Sequence, residues 1–186
     1  MKTLPDYLRT NLDIVLIGLN PSPISVRAGY YYANPRNRFW AALNGSRLMT
    51  LPVLPGEPAI RKLFDLFNIG FTDIVKRPTP VGNELRAADF RKGAIDLQHK
   101  LLSYQPRIAW FNGITTYSNY LKYTGQDSNA SRCGAQPERL EITRFFVTPN
   151  PSPANASYSL DDLITHYNAL AKYRDKLLSR GGSDPD

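Results

Sequence analysis

The run Asp13-Ile14-Val15-Leu16-Ile17-Gly18 limits the possible folds more than any other stretch of this chain. Four consecutive apolar residues, three of them β-branched, close on a glycine, the pattern of a strand buried on both faces. Such a strand needs a covering layer on each side. In parallel sheets helices supply those layers, so this run alone argues for an α/β arrangement.

The rest of the chain alternates accordingly. Residues 20–35 mix Pro, Ser, Gly and Tyr without helical period and predict a functional loop; residues 37–43 resume a helix-like pattern with Phe39 and Trp40 as anchors. A helix is predicted over 59–67 from Ile60, Leu63, Phe64 and Phe67, then a strand over 71–75 with Asp73 near its end. Phe90, Ala94, Leu97, Leu101 and Leu102 mark an amphipathic helix over 85–103, stopped by Pro106. A third strand over 107–111 leads through Gly113 into a helix over 115–123, and 141–147 is a fourth strand. Residues 148–153, rich in proline, suit neither a helix nor a strand interior.

Ser159 is placed to cap the last helix, with Asp162 in its first turn and Leu163, Tyr167, Leu170 and Leu177 on one face. Gly181-Gly182 ends it, leaving 181–186 as a flexible tail after a single domain over 1–180. The expected architecture is a three-layer α/β/α sandwich with a mainly parallel central sheet. Its ligand crevice should lie beyond the carboxyl ends of the strands, where the Asn20 and Asn150 loops both emerge.

Composition narrows the function. Hydrophobic residues make up 42% of the 186, enough for a core, and no apolar run is long enough to cross a bilayer. The opening MKTLPDYLRT lacks the apolar stretch and cleavage site of a secretory signal, so a cytoplasmic or nucleoid location is expected, away from any membrane. Cys133 is the single cysteine, which excludes an internal disulfide and a cysteine-held metal. The net charge of +7 favours a polyanionic partner, a weak signal by itself.

Two separated loops carry the sharper signal. The first reads Gly18-Leu19-Asn20-Pro21-Ser22-Pro23 and continues as Tyr30-Tyr31-Tyr32-Ala33-Asn34-Pro35-Arg36-Asn37-Arg38-Phe39-Trp40; the second is Asn150-Pro151-Ser152. Between them stands Gly70-Phe71-Thr72-Asp73-Ile74-Val75-Lys76-Arg77-Pro78-Thr79. In this order and separation they resemble the mismatch-specific uracil and thymine DNA glycosylases, over most of the chain. The resemblance implies a uracil-DNA glycosylase-like fold. It also implies a monofunctional enzyme that needs no metal or cofactor, works as a monomer and hydrolyses the N-glycosidic bond of uracil, or of thymine or another damaged base, to begin base excision repair. The partner would be DNA carrying such a base, double- or single-stranded.

The chemistry gives these residues physical roles. A base inside a duplex must be flipped out into a pocket that covers its ring and reads its edge. By resemblance Tyr32 is the stacking aromatic, with Leu19, Ser25 and Asn150 around the base; the alternative is that Tyr32, like Tyr30 and Tyr31, only packs the loop. Asn20 matches the family's catalytic asparagine, which holds the attacking water, although Asn before Pro is also a common turn former.

Asp73 departs from the better-known members, where a lysine or a small polar residue stands. A carboxylate there could accept a proton from water and stabilise positive charge on the sugar, or it could simply end a strand and pair with Lys76 or Arg77. Arg36, Lys76, Arg77, Ser152, Pro153, Ala154 and Asn155 are the candidates for contact with DNA; Arg38 is also placed to meet a phosphate, or else serves a structural role. Pro153-Ala154-Asn155-Ala156 lacks the larger apolar wedge and nearby Arg of related enzymes, which weakens dependence on the opposing base. The competing reading is a non-catalytic binder of damaged or single-stranded DNA.

Overall fold

The computed structural model describes residues 2–128 and 132–180; the expected tail over 181–186, with its glycine stop, lies outside the described residues. Five strands form one sheet in the order β2-β1-β3-β5-β4: β1 (Ile14–Gly18), β2 (Ile69–Asp73), β3 (Ile108–Asn112), β4 (Gly134–Leu140) and β5 (Thr143–Thr148). β1 pairs in parallel with β2 and β3, and β3 with β5; β4 adds an antiparallel edge. The mainly parallel sheet expected from the sequence is present.

Alternate residues of β1 feed two cores, as its unbroken apolar run requires. Ile14 and Leu16 join Phe39, Trp40 and Leu43 of α2 (Phe39–Gly45), Ile60 and Leu63 of α3 (Glu57–Leu66) and Leu163, Tyr167 and Leu170 of α6 (Leu160–Arg180). Val15 and Ile17 join Phe90, Ala94, Leu97 and Leu101 of α4 (Ala87–Tyr104) and Tyr117, Tyr120 and Leu121 of α5 (Ile114–Tyr123). Helices thus cover both faces. No described helix is long and apolar enough to cross a membrane.

Three local expectations need correction. The loop over 20–35 contains a short helix, α1 (Pro23–Ala28), begun by Ser22, whose side chain accepts from Ser25 N, and by Pro23 at the first helical position. Six residues are too few to display a period. The fourth predicted strand begins later, because Glu141 takes a left-handed φ of 50° in the turn between β4 and β5. β4 itself was not foreseen: Gly134, Gln136, Pro137 and the adjacent charges Glu138-Arg139 hide a strand, and the pairing slips in register between Ala135 and Arg139.

The cap of α6 forms as expected, with Asp162 N donating to Ser159 Oγ at 3.1 Å and Ser159 N donating back to the Asp162 carboxylate at 2.7 Å. Ahead of β1, Tyr7 exchanges two backbone hydrogen bonds with Phe71 of β2, at 2.9 and 3.0 Å. This pins the N-terminal segment to the sheet.

Candidate active site

A cavity of about 500 Å³ opens at the carboxyl ends of the parallel strands. Gly18, Asp73 and Asn112, the last residues of β1, β2 and β3, line it together with Asn150, which follows β5. Of the residues singled out from sequence, Leu19, Asn20, Ser25, Tyr32, Arg36, Asp73, Asn150, Ser152, Pro153 and Ala154 line this one cavity; Lys76, Arg77 and Asn155 do not.

Asn20 stands just beyond β1 with its amide clamped. Nδ2 donates to Arg77 O at 3.0 Å, to Thr79 Oγ1 at 2.8 Å and to Pro21 O at 3.3 Å. Two of these partners are carbonyls, which only accept, so the amide can be oriented in one way. Thr79 in turn donates to Val81 O at 2.8 Å, which fixes its hydroxyl as an acceptor for Asn20. The consequence is an Oδ1 left to accept a hydrogen bond from a ligand or water.

Tyr32 is held on two sides. Its ring stacks on Phe39 with centroids 4.1 Å apart and planes at 20°, and its φ of 58° lies in the left-handed region, unusual for an aromatic residue. Its hydroxyl accepts from Asn112 Nδ2 at 3.0 Å. Behind Asn112 the chain continues into the core: Trp110 Nε1 donates to Thr148 Oγ1 at 2.8 Å, and Thr148 donates to Asn112 Oδ1 at 3.3 Å. Tyr31 instead points to the N-terminal segment, donating to Pro5 O at 2.9 Å. Both rings line the cavity, Tyr31 tied to the N-terminal segment and Tyr32 to Asn112.

Asp73 is 4% exposed, and its Oδ2 is buried with no hydrogen-bond partner among the described residues. The two cations considered for it are engaged elsewhere: Lys76 with Asp6 at 2.8 Å and Arg77 with Asp89 at 2.7 Å. Burial pushes the Asp73 carboxyl up to about 7, against the pull of Lys76. A buried, unpaired acid in a cavity wall is a costly arrangement for a fold that does not use it.

The second motif forms a tight loop. Asn150 Oδ1 accepts from Ser152 N at 2.9 Å, and Asn155 Nδ2 donates to Asn150 O at 2.9 Å. Arg38 braces the loop from outside, donating through Nη2 to Ser152 O at 3.0 Å and Asn155 O at 2.8 Å and through Nη1 to Tyr158 O. That is the structural role the sequence allowed for it. Ser25, 4% exposed, supports the opposite loop by accepting from Ala33 N at 3.2 Å. Arg36 is exposed at the rim, whereas Arg77 is tied to Asp89 and to Glu84 O.

Sequence reasoning missed Leu4, Thr79 and Asn112. Asn112 carried a readable signal, a polar residue at the carboxyl end of a predicted parallel strand. Thr79 closes the segment between the two motifs but was assigned no role there, and Leu4 carried no signal, since its position depends on contacts with distant segments. Among the described residues no group of three or more His, Cys, Asp or Glu is arranged to hold a metal ion.

Comparison with known proteins bears on this cavity. Residues 5–177 match the model of the uracil DNA glycosylase superfamily. Over 179 residues the chain is 30% identical to the G/U mismatch-specific uracil DNA glycosylase of Schizosaccharomyces pombe, covering 92% of this chain and 54% of that protein. The chain therefore spans about half the length of that curated relative. In three dimensions it is similar to the solution NMR structure of a candidate uracil DNA glycosylase from Methanosarcina acetivorans. The TM-score is 0.54 at 22% identity, over 94% of this chain and 98% of the other, a likeness of fold.

Proposed function

The chain belongs to the uracil DNA glycosylase superfamily, and from that membership we propose that it hydrolyses the N-glycosidic bond of uracil in DNA, the opening step of base excision repair. The observation that carries this reading is the clamped Asn20 amide in the same cavity as Tyr32. The flipped base stacks on Tyr32, while backbone N–H groups of the Leu19-Asn20 turn meet its carbonyl oxygens. The Oδ1 of Asn20 accepts a hydrogen bond from the attacking water and aims its lone pair at C1′ of the sugar.

The bonding changes are simple. The C1′–N bond breaks and its electron pair leaves with the base; the water oxygen bonds to C1′, its surplus proton passes to solvent, and the base anion is protonated. Among the described residues no lysine lines the cavity, so hydrolysis is favoured over a lyase step through a Schiff base. Arg36 at the rim contacts a phosphate, and Asn150 with Ser152 steadies the strand. Pro153 and Ala154 are small, so the vacated place in the stack is poorly filled and the opposing base matters little.

Oligonucleotides bearing one uracil opposite each base, and in a single strand, test the reading by chromatography of the freed base. Release from all of them is expected. Tight binding without release would make the chain a non-catalytic binder of damaged DNA.

A further inference from the structure

Asp6 lies outside every motif, yet its carboxylate has three donors. Thr72 Oγ1 at 2.7 Å and Lys76 Nζ at 2.8 Å meet Oδ1, and Lys100 Nζ at 2.7 Å meets Oδ2. Its segment is fixed by the Tyr7–Phe71 backbone pairing, by Tyr31 donating to Pro5 O and by Thr3 Oγ1 donating to Lys76 O at 2.7 Å. Thr72 immediately precedes Asp73 in β2, and Asp6, Lys76 and Lys100 all act electrostatically on this acid, whose Oδ2 lacks a partner among the described residues.

We propose that Asp6 is a positioning residue for the pocket: by holding Lys76 and Lys100 it leaves Asp73 without a cation, so that Asp73 serves as a neutral hydrogen-bond donor to the carbonyl edge of the flipped base. This rests on the glycosylase reading above. When the glycosidic bond breaks, its electron pair moves onto the base and negative charge grows on the carbonyl oxygens. An ionised carboxylate buried beside them would oppose that charge, whereas a neutral acid donates to it, and the bond strengthens as the charge develops.

A carboxylic acid offers one O–H donor and one C=O acceptor. That pair matches an edge with a carbonyl next to an N–H, shared by uracil, thymine, hypoxanthine and xanthine. Ethenocytosine lacks that N–H and can use only half of the match. The charges around Asp73 are consistent with a neutral acid: burial raises it most, Lys76 lowers it, Asp6 raises it and Lys100 lowers it. Tyr31 and Tyr32 also face it, and burial holds both phenols well above their ordinary value, so they stay neutral.

Single-turnover release of uracil by the full chain, from about pH 5 to about pH 9, tests this. The wild-type rate should fall as pH rises through about 7. Asp6→Asn frees both lysines toward Asp73 and should move that fall downward by about one pH unit; Lys100→Met removes a cation and should move it upward. Asp73→Asn should be slower by about tenfold, because an amide still donates, and its profile should lose the fall. If the wild-type fall is absent, or stays in place in both Asp6→Asn and Lys100→Met, the proposal is overturned. It is equally overturned if Asp73→Asn is as inactive as Asn20→Ala at every pH, since Asp73 then handles water. No release by the wild type at any pH would instead overturn the glycosylase reading itself.

Discussion

The carboxyl of Asp73 lies over the α-carbon of Gly18, its partner across the β1–β2 ladder, so closely that a β-carbon at position 18 would overlap Oδ1. The glycine is therefore needed for space. The Tyr32 hydroxyl comes within 3.4 Å of the same point, so the new methyl group has little room on either side. Gly18→Ala should displace the Asp73 carboxyl and reduce excision by about a hundredfold. Its cost in stability should be about 1–3 kcal/mol, the usual range for overpacking. Excision kinetics beside a urea midpoint would separate the two effects.

Asn20→Ala removes the acceptor proposed to hold the water and should slow the chemical step by about 10²–10³-fold. Thr79→Val is the subtler variant. It keeps Asn20 but takes away one of the bonds that orient its amide, so kcat should fall by about tenfold with little change in KM. Equal losses in both variants would show that the orientation of Asn20 matters as much as its presence.

These contacts show which parts of the molecule were legible in the sequence. The apolar run of β1 revealed a sheet covered on both faces, because burial on two sides leaves a one-dimensional trace. The two loops were legible because motifs at strand ends converge on one crevice. Asp6 left no trace: its partners, Thr72, Lys76 and Lys100, come from β2, the segment after it and α4. Likewise, the sequence left open whether Asp73 paired with Lys76 or Arg77, and only the fold reveals that Asp6 and Asp89 take both. β4 was hidden for a local reason, since an edge strand bearing Pro137 need not alternate apolar and polar residues.

Arg38 links the two motif-bearing segments. Its guanidinium serves three backbone carbonyls of the loop after β5; Ser152 O also accepts from Asn155 N, so Arg38→Met takes the partner from Asn155 O and Tyr158 O and should destabilise the fold by about 2–3 kcal/mol. Arg38→Lys should recover only part of this, because an ammonium cannot reproduce the planar fork. Urea denaturation of both variants provides the comparison.

Arg36 should contribute to DNA binding chiefly through charge. Exposed at the cavity rim, and in no ion pair among the described residues, it is available to a phosphate. Arg36→Ala should weaken binding to any sequence and reduce the slope of log K against log salt by about 0.9. Arg77→Met should change that slope less, because the Arg77 guanidinium already answers Asp89. Binding titrations at several salt concentrations decide this.

The unpaired state of Asp73 also has a consequence for stability. In the unfolded chain an aspartate titrates near 3.9; in the fold burial pushes Asp73 up to about 7. Between those values the folded protein holds a proton that the unfolded chain has lost, so this group makes stability fall as pH rises. Below about pH 4 both states are neutral and it contributes nothing. Above about 7 the folded carboxyl is ionised too, and its contribution settles at a constant penalty of a few kcal/mol. Asp73→Asn does not titrate. Its stability relative to wild type should therefore increase through the interval from about 4 to about 7 and level off above it, a trend visible in urea unfolding at a series of pH values. A constant difference across that interval would mean that the carboxyl is already ionised in the fold, and Asp73 could then not be the neutral donor on which the reading of the base edge depends.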